Sequence, residues 1–294
     1  LSLLKADNKL SCLQESSSWI TPAKVKEGQS FQHDFIENLD EIPLYDYSIC
    51  EPDKYRLNST ISAYPYTDDK KQYITVMTSR GCPHHCCYCS AHTVHGRRMR
   101  YYSISRIRMD FKYIKERYGA ETIIFQDDHF MADKQRVFEI IGILKELRMT
   151  AFFPNSLALY ALDRKILEAL KSIGANQLVM AIESGSERVL REIMHKPLNL
   201  SIIKRVAGDC RELGIYTDAN IIIGFPGETK QDLEDARSFL KTINVNWFRV
   251  YTASPLVGSE LFNICLKKNY IKEGSYTKCN YKKAIIETED FSSE

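Results

Sequence analysis

The chain has 294 residues, 44% of them hydrophobic and 27% charged, with a formal net charge of +2. These proportions exclude a disordered or collagenous chain, and a charge so near balance gives no strong nucleic-acid signal and no general affinity for acidic membranes. No apolar run approaches the length of a membrane span and no signal peptide is legible, so a reducing, cytoplasmic setting that keeps thiols free for metal is expected.

The chain opens at Leu1 rather than Met, which suggests a piece of a longer protein with a domain upstream. Residues 1–70 read as a linker or adaptor, because Ser16, Ser17, Ser18, Pro22, Gly28 and Pro43 punctuate short apolar pieces. From Ile74 onward apolar runs alternate with helical periodicities, the pattern of parallel strands joined by crossover helices. The runs are 74–78, 122–125, 151–153, 178–182, 221–223 and 248–251. Helices are predicted over 133–148, 163–173 with Asp163 as cap and Gly174 as stop, 187–194, 201–213 ending at Gly214, and from Thr229 towards Leu240. Six such units predict an α/β fold, a partial (β/α)6 TIM-type barrel of parallel strands over residues 71–262. Residues 263–294 form a tail with no further strand and helix pair.

Three cysteines, Cys82, Cys86 and Cys89, fall in a CxxxCxxC run just after the first strand. Nine cysteines, with Cys86 and Cys87 adjacent and Cys12, Cys50, Cys210, Cys265 and Cys279 scattered, make a poor disulfide framework. Zinc could take His84, His85, His92 or His95 as a fourth ligand, whereas a cubane iron-sulfur cluster on three thiolates leaves one iron open for another molecule. Cys87 is expected to leave the loop on the opposite side, and His84 and His85 to face solvent.

In parallel barrels chemistry gathers where strands end, and here each strand end carries a polar or glycine-rich signal. They are Gln126-Asp127-Asp128-His129-Phe130, Pro154-Asn155-Ser156, Glu183-Ser184-Gly185-Ser186, Gly224-Phe225-Pro226-Gly227-Glu228-Thr229 with Asn220 before it, and Ser254-Pro255-Leu256. Helix capping would explain one polar residue at each. It does not explain a charged Asp128 or Glu183 directly after an apolar strand, where desolvation is costly unless a partner is bound. The cluster His95, Arg97, Arg98 and Arg100 is read as a solvated loop, with an anion site as the alternative.

The cysteine spacing, with Tyr88 just before its last cysteine, resembles the radical S-adenosylmethionine (SAM) superfamily. The strand-end motifs, over residues 73–262, resemble its members that follow a cobalamin-binding domain, and Leu39-Asp-Glu-Ile-Pro43 resembles the linker between the two. The resemblance implies a 4Fe-4S cluster on Cys82, Cys86 and Cys89, Tyr88 against the SAM adenine, and Asp128 facing the SAM amino group or the substrate. Glu183 would bond the ribose, Asn155 and Asn220 would line the same cavity, and Lys196 or His195 would meet the SAM carboxylate; Gly224 serves either its tight turn alone or the close approach of a cofactor. It also implies an electron donor such as flavodoxin or ferredoxin, a small-molecule substrate, and a 5′-deoxyadenosyl radical as the reacting species. Asp127-x-His129 lacks the glycine of a cobalamin DxHxxG loop, so cobalamin enters through the resemblance alone. Alternatives are a methylthiotransferase-like enzyme and a non-catalytic zinc or iron-sulfur module.

Overall fold

The computed structural model describes residues 15, 21–28, 35–44, 46–50, 71–272, 274 and 283–292. The chain divides into two compact units, residues 1–37 and 38–294. The first contains the short helix α1 (Pro22–Lys26), whose cap Thr21 accepts from the Lys24 N–H at 3.4 Å. Most of the predicted linker lies outside the described residues. Within the second unit Leu39–Glu41 forms a single 3-10 turn with Leu39 fully buried.

Six parallel strands carry the second unit, in the six places where apolar runs predict them. They are β1 (Tyr73–Val76), β4 (Thr122–Phe125), β5 (Thr150–Phe152), β6 (Gln177–Glu183), β7 (Tyr216–Ile223) and β8 (Trp247–Thr252). A short antiparallel pair not foreseen from sequence, β2 (Ser79–Arg80) with β3 (Arg100–Tyr101), frames the cysteine loop. The parallel strands form two three-stranded sheets, β1-β4-β5 and β6-β7-β8, so among the described residues the arc is parted in the middle and unclosed at its ends. The fold is therefore a partial (β/α)6 barrel. β7 begins five residues before its apolar run because buried Asp218, inside it, is matched by Arg249 of β8 across the sheet, Nε to Oδ1 2.9 Å. A charge satisfied by its neighbour strand can sit in a strand interior.

Helices cross from each strand to the next: α3 (Ile104–Tyr118), α4 (Lys134–Glu146), α5 (Arg164–Lys171), α6 (Leu200–Leu213) and α7 (Lys230–Leu240). A one-turn helix α2 (His92–His95) lies in the cysteine loop, and α8 (Glu260–Lys267) follows β8, running past residue 262. Their caps follow side-chain chemistry. Asp133, Asp163 and Asn199 accept from the third residue on, and Thr229 with Asp232 forms a reciprocal capping box. The helix predicted over 187–194 is present over 187–193, two α-helical residues leading into one π-helical turn, Val189–Ile193. The core fills the space between helices and sheets, with Phe125 stacked on Phe153 at 4.9 Å and Phe130 tilted against both. No helix among the described residues is long and apolar enough to cross a membrane.

Candidate active site

The strand ends converge on the cysteine loop. Gly81 enters it at φ +95°, and a Cβ there would stand 2.3 Å from the Arg98 carbonyl oxygen, so only glycine fits. The Cys82 N–H donates to the Gly96 carbonyl at 3.3 Å, closing the loop on its own return. Cys82, Cys86 and Cys89 are free and partly exposed, while Cys87 points into the core. The Cys87 backbone is held from both sides, its N–H by the Met194 carbonyl at 3.0 Å and its carbonyl by the Leu261 N–H at 2.8 Å. Burial pushes the Cys82 and Cys86 thiols up, and Lys196 draws Cys86 partly back. Such thiols stay protonated until a metal displaces the proton. Among the described residues no group of three Cys, His, Asp or Glu side chains is already gathered as a metal site. The loop presents three separate thiols, the donor set of a cluster.

Glu183 stands at the mouth because its strand is distorted. The β6 to β7 register shifts between Ala181 and Glu183, and Glu183 takes φ +65°, a left-handed conformation unusual for a non-glycine residue. Strain of this kind persists where surrounding structure holds it and gathers at functional sites. The buried carboxylate accepts from the Tyr88 hydroxyl at 3.4 Å and faces Lys196 Nζ at 3.5 Å; that ammonium is 3.3 Å from the same hydroxyl. All three contacts are long for hydrogen bonds, leaving each group with capacity for a ligand. Burial raises the Glu183 carboxyl, and Lys196 opposes the rise.

Lys196 arrives through the π-helical turn. Its N–H returns to the Leu190 carbonyl at 2.8 Å, and His195 before it adopts φ +53°. His195 turns outward to Glu260, 3.3 Å away, whereas Lys196 lines a cavity with Cys82 and Cys86. A π-bulge that redirects one side chain is a recurrent device at functional sites.

Two cavities adjoin here. One, of about 340 Å³, is lined by Tyr88, Glu183, Asn220, Ile222, Tyr251 and Ser254, among others. Asn220 Oδ1 is buried there with no hydrogen-bond partner among the described residues. A buried acceptor left open is a vacancy that a ligand donor would fill. The other, of about 140 Å³, is lined by Cys82, Cys86, Asp128, Ser156, Tyr160 and Lys196, among others. Gly224, at φ +88°, lines neither; it borders a third cavity of about 390 Å³ beneath the Phe291 segment. Asn155 is exposed, donates to Gln126 at 2.9 Å and also lines neither, its neighbour Ser156 taking that place. The residues needed by a cluster and a nucleoside cofactor, three free thiols beside an unsaturated Tyr88, Glu183, Lys196 and Asn220 set, are thus present together.

Two expectations change. His84 is half buried rather than solvent-facing, its Nε2 2.7 Å from the Tyr160 hydroxyl, which lies 2.8 Å from His129 Nε2. Burial lowers His129 to about 4 and raises Tyr160 to about 12, so both are neutral at ordinary pH. The arginines beyond the loop are not simply solvated. Arg97 donates to the His84 carbonyl at 2.6 Å and Arg100 to that of His95. Residues that sequence reasoning missed include Tyr160, Tyr251 and Ser254; only Ser254, at a strand end, carried a signal.

The Radical SAM superfamily profile matches residues 76–240. The chain belongs to that superfamily. It is 30% identical over 257 residues to the cytidylyl-2-hydroxyethylphosphonate methyltransferase of Streptomyces wedmorensis, covering 84% of this chain and 47% of that protein. It is 27% identical over 191 residues to a tRNA-2-methylthio-N(6)-dimethylallyladenosine synthase of Clostridium perfringens, covering 60% of this chain and 40% of the relative. The chain thus spans about half the length or less of these curated relatives. In fold it resembles the radical SAM methyltransferase TsrM of Kitasatospora setae, solved with cobalamin and a [4Fe-4S] cluster, at a TM-score of 0.55 and 14% identity over 68% of this chain and 37% of that one.

Proposed function

We propose that the chain is the catalytic core of a radical SAM enzyme, with methyl transfer through cobalamin as its reaction and a small molecule as its substrate. Cys82, Cys86 and Cys89 would hold the 4Fe-4S cluster. Tyr88, Glu183, Asn220 and Lys196 would receive SAM between them. Asp128 stands on the cluster side of that group. The observation that carries the reading is the unsaturated polar set around Glu183, with the open Asn220 oxygen, next to three free thiols.

With the cluster bound and given one electron by a carrier such as a flavodoxin or ferredoxin, the superfamily's chemistry is cleavage of SAM to methionine and a 5′-deoxyadenosyl radical. The residues supply orientation. Lys196 offers a cation to the SAM carboxylate, and Glu183 offers acceptor oxygens to ribose hydroxyls. Asn220 offers an acceptor to a donor in the cavity it lines with Tyr88 and Glu183. Cobalamin, like the carrier and the reducing compartment, is inferred from kinship with the methyltransferases. The methylthiotransferase reading is less favoured, because relatives of that name match this chain at 26–27% identity against 30% for the methyltransferase.

Anaerobic reconstitution with iron and sulfide, then dithionite and SAM, is expected to release 5′-deoxyadenosine. An iron-loaded chain that leaves SAM intact would refute the assignment. Methyl-labelled SAM supplied with cobalamin tests the transfer: label on the corrinoid supports methylation, and its absence despite SAM cleavage points to another radical reaction.

A further inference from the structure

Three consecutive residues at the end of β4 each reach a different part of the cysteine loop. The buried Asp127 carboxylate accepts from the Thr78 N–H at 3.0 Å, the Thr78 hydroxyl at 2.8 Å and the Ser79 hydroxyl at 2.6 Å. Asp128 Oδ2 accepts from the Gly81 N–H at 3.0 Å and lies 2.8 Å from His95 Nδ1, on the far side of the loop. His129 reaches His84 through the Tyr160 hydroxyl, by contacts of 2.8 and 2.7 Å. The hydrogen bonds fall on residues 78, 79, 81 and 84 and bracket Cys82 closely, and the His95 contact lies beyond the other two free thiols. Arg136 adds a bond to the Thr78 carbonyl at 2.7 Å.

Neither ordinary role of a strand-end carboxylate accounts for this. The helix that follows is capped by Asp133, which accepts from the Arg136 N–H at 3.1 Å. Asp127 has spent its carboxylate on the loop, and Asp128 has committed one oxygen to the Gly81 N–H, with the His95 ring in contact beside it. A loop with so little regular structure loses much conformational freedom on ordering. Bonds that order it beforehand spare a bound group that loss, which is why groups behind metal ligands matter to metal retention.

We propose that Asp127, Asp128 and, through Tyr160, His129 are positioning residues that hold the cysteine loop in its cluster-binding shape before iron arrives; this rests on Cys82, Cys86 and Cys89 being the ligands. Tyr160→Phe is the direct test, since it removes both hydroxyl contacts while keeping the ring at a site 37% exposed. The apo chain should melt at the wild-type temperature. After anaerobic reconstitution its iron should pass to a chelator roughly tenfold faster than from wild type, with a changed electron paramagnetic resonance spectrum of the reduced cluster. Asp128→Ala should also speed iron release. Wild-type release rates and spectra in both variants would overturn the proposal. A wild-type chain that takes up no cluster would instead remove the ligand assignment, and the brace with it.

Discussion

Glu228 folds its carboxylate back onto its own turn, accepting from the Gly224 N–H at 2.6 Å and the Phe225 N–H at 3.2 Å. Burial pushes its carboxyl above the ordinary range despite both bonds. The folded state therefore binds this proton more tightly than the unfolded chain does. Its contribution to stability is full below the unfolded carboxyl's pKa and is lost as pH rises through the raised value. Glu228→Gln keeps an acceptor oxygen and removes the charge. Thermal melts from about pH 4 to about pH 8 should show the variant gaining on wild type as pH rises; a constant difference would mean that the charge is not penalised. At this scale the legible residues were those whose chemistry is out of place locally, namely the clustered cysteines and Glu183 after an apolar strand. His84 and Tyr160 were not, because their contact spans 76 positions and neither is unusual among its neighbours.

Helix α7 shows how an element's end can do more than stop fraying. Thr229 and Asp232 make its capping box, but Asp232 Oδ1 also accepts from the Ser186 hydroxyl at 2.9 Å and from Arg188 Nε at 3.0 Å. These bonds and the cap hold the Asp232 carboxyl well below its usual range, with the Arg188 guanidinium the main cause. Thr229→Ala should cost about 1 kcal/mol in urea denaturation, the usual value of a cap. Asp232→Ala should cost about 2–3 kcal/mol, because it also leaves Ser186 and partly exposed Arg188 without their acceptor. Equal losses would show that the link to the turn after β6 adds nothing. The caps at Asp163 and Thr229 were readable because capping is local chemistry. The π-helical turn at Val189–Ile193 was not, since it differs from an α-turn by the span of its hydrogen bonds and not by composition.

Across the molecule, the buried core between the two sheets and their helices is assembled from side chains that owe nothing to metal. Ile123, Phe125, Met180, Ile182 and Val206 are each at most 1% exposed, and the one cysteine of the loop that joins this core, Cys87, is outside the proposed ligand set. Stripping iron with a chelator should leave the far-ultraviolet circular dichroism and a cooperative melt intact while removing the cluster's absorbance. A structural zinc site would behave oppositely, since its binding energy is folding energy. Taken by itself, the sequence determined the six parallel strands, the helix ends at Asp163, Gly214 and Thr229 and the three thiols, because periodicity, capping and ligand spacing are properties of short stretches of chain. Only the tertiary structure decided that Lys196 rather than His195 faces the thiols, that Asn220 keeps an open acceptor, and that Asp127, Asp128 and His129 turn back to grip the cysteine loop. Those outcomes depend on backbone twists at single residues and on contacts between distant segments, which no local pattern encodes.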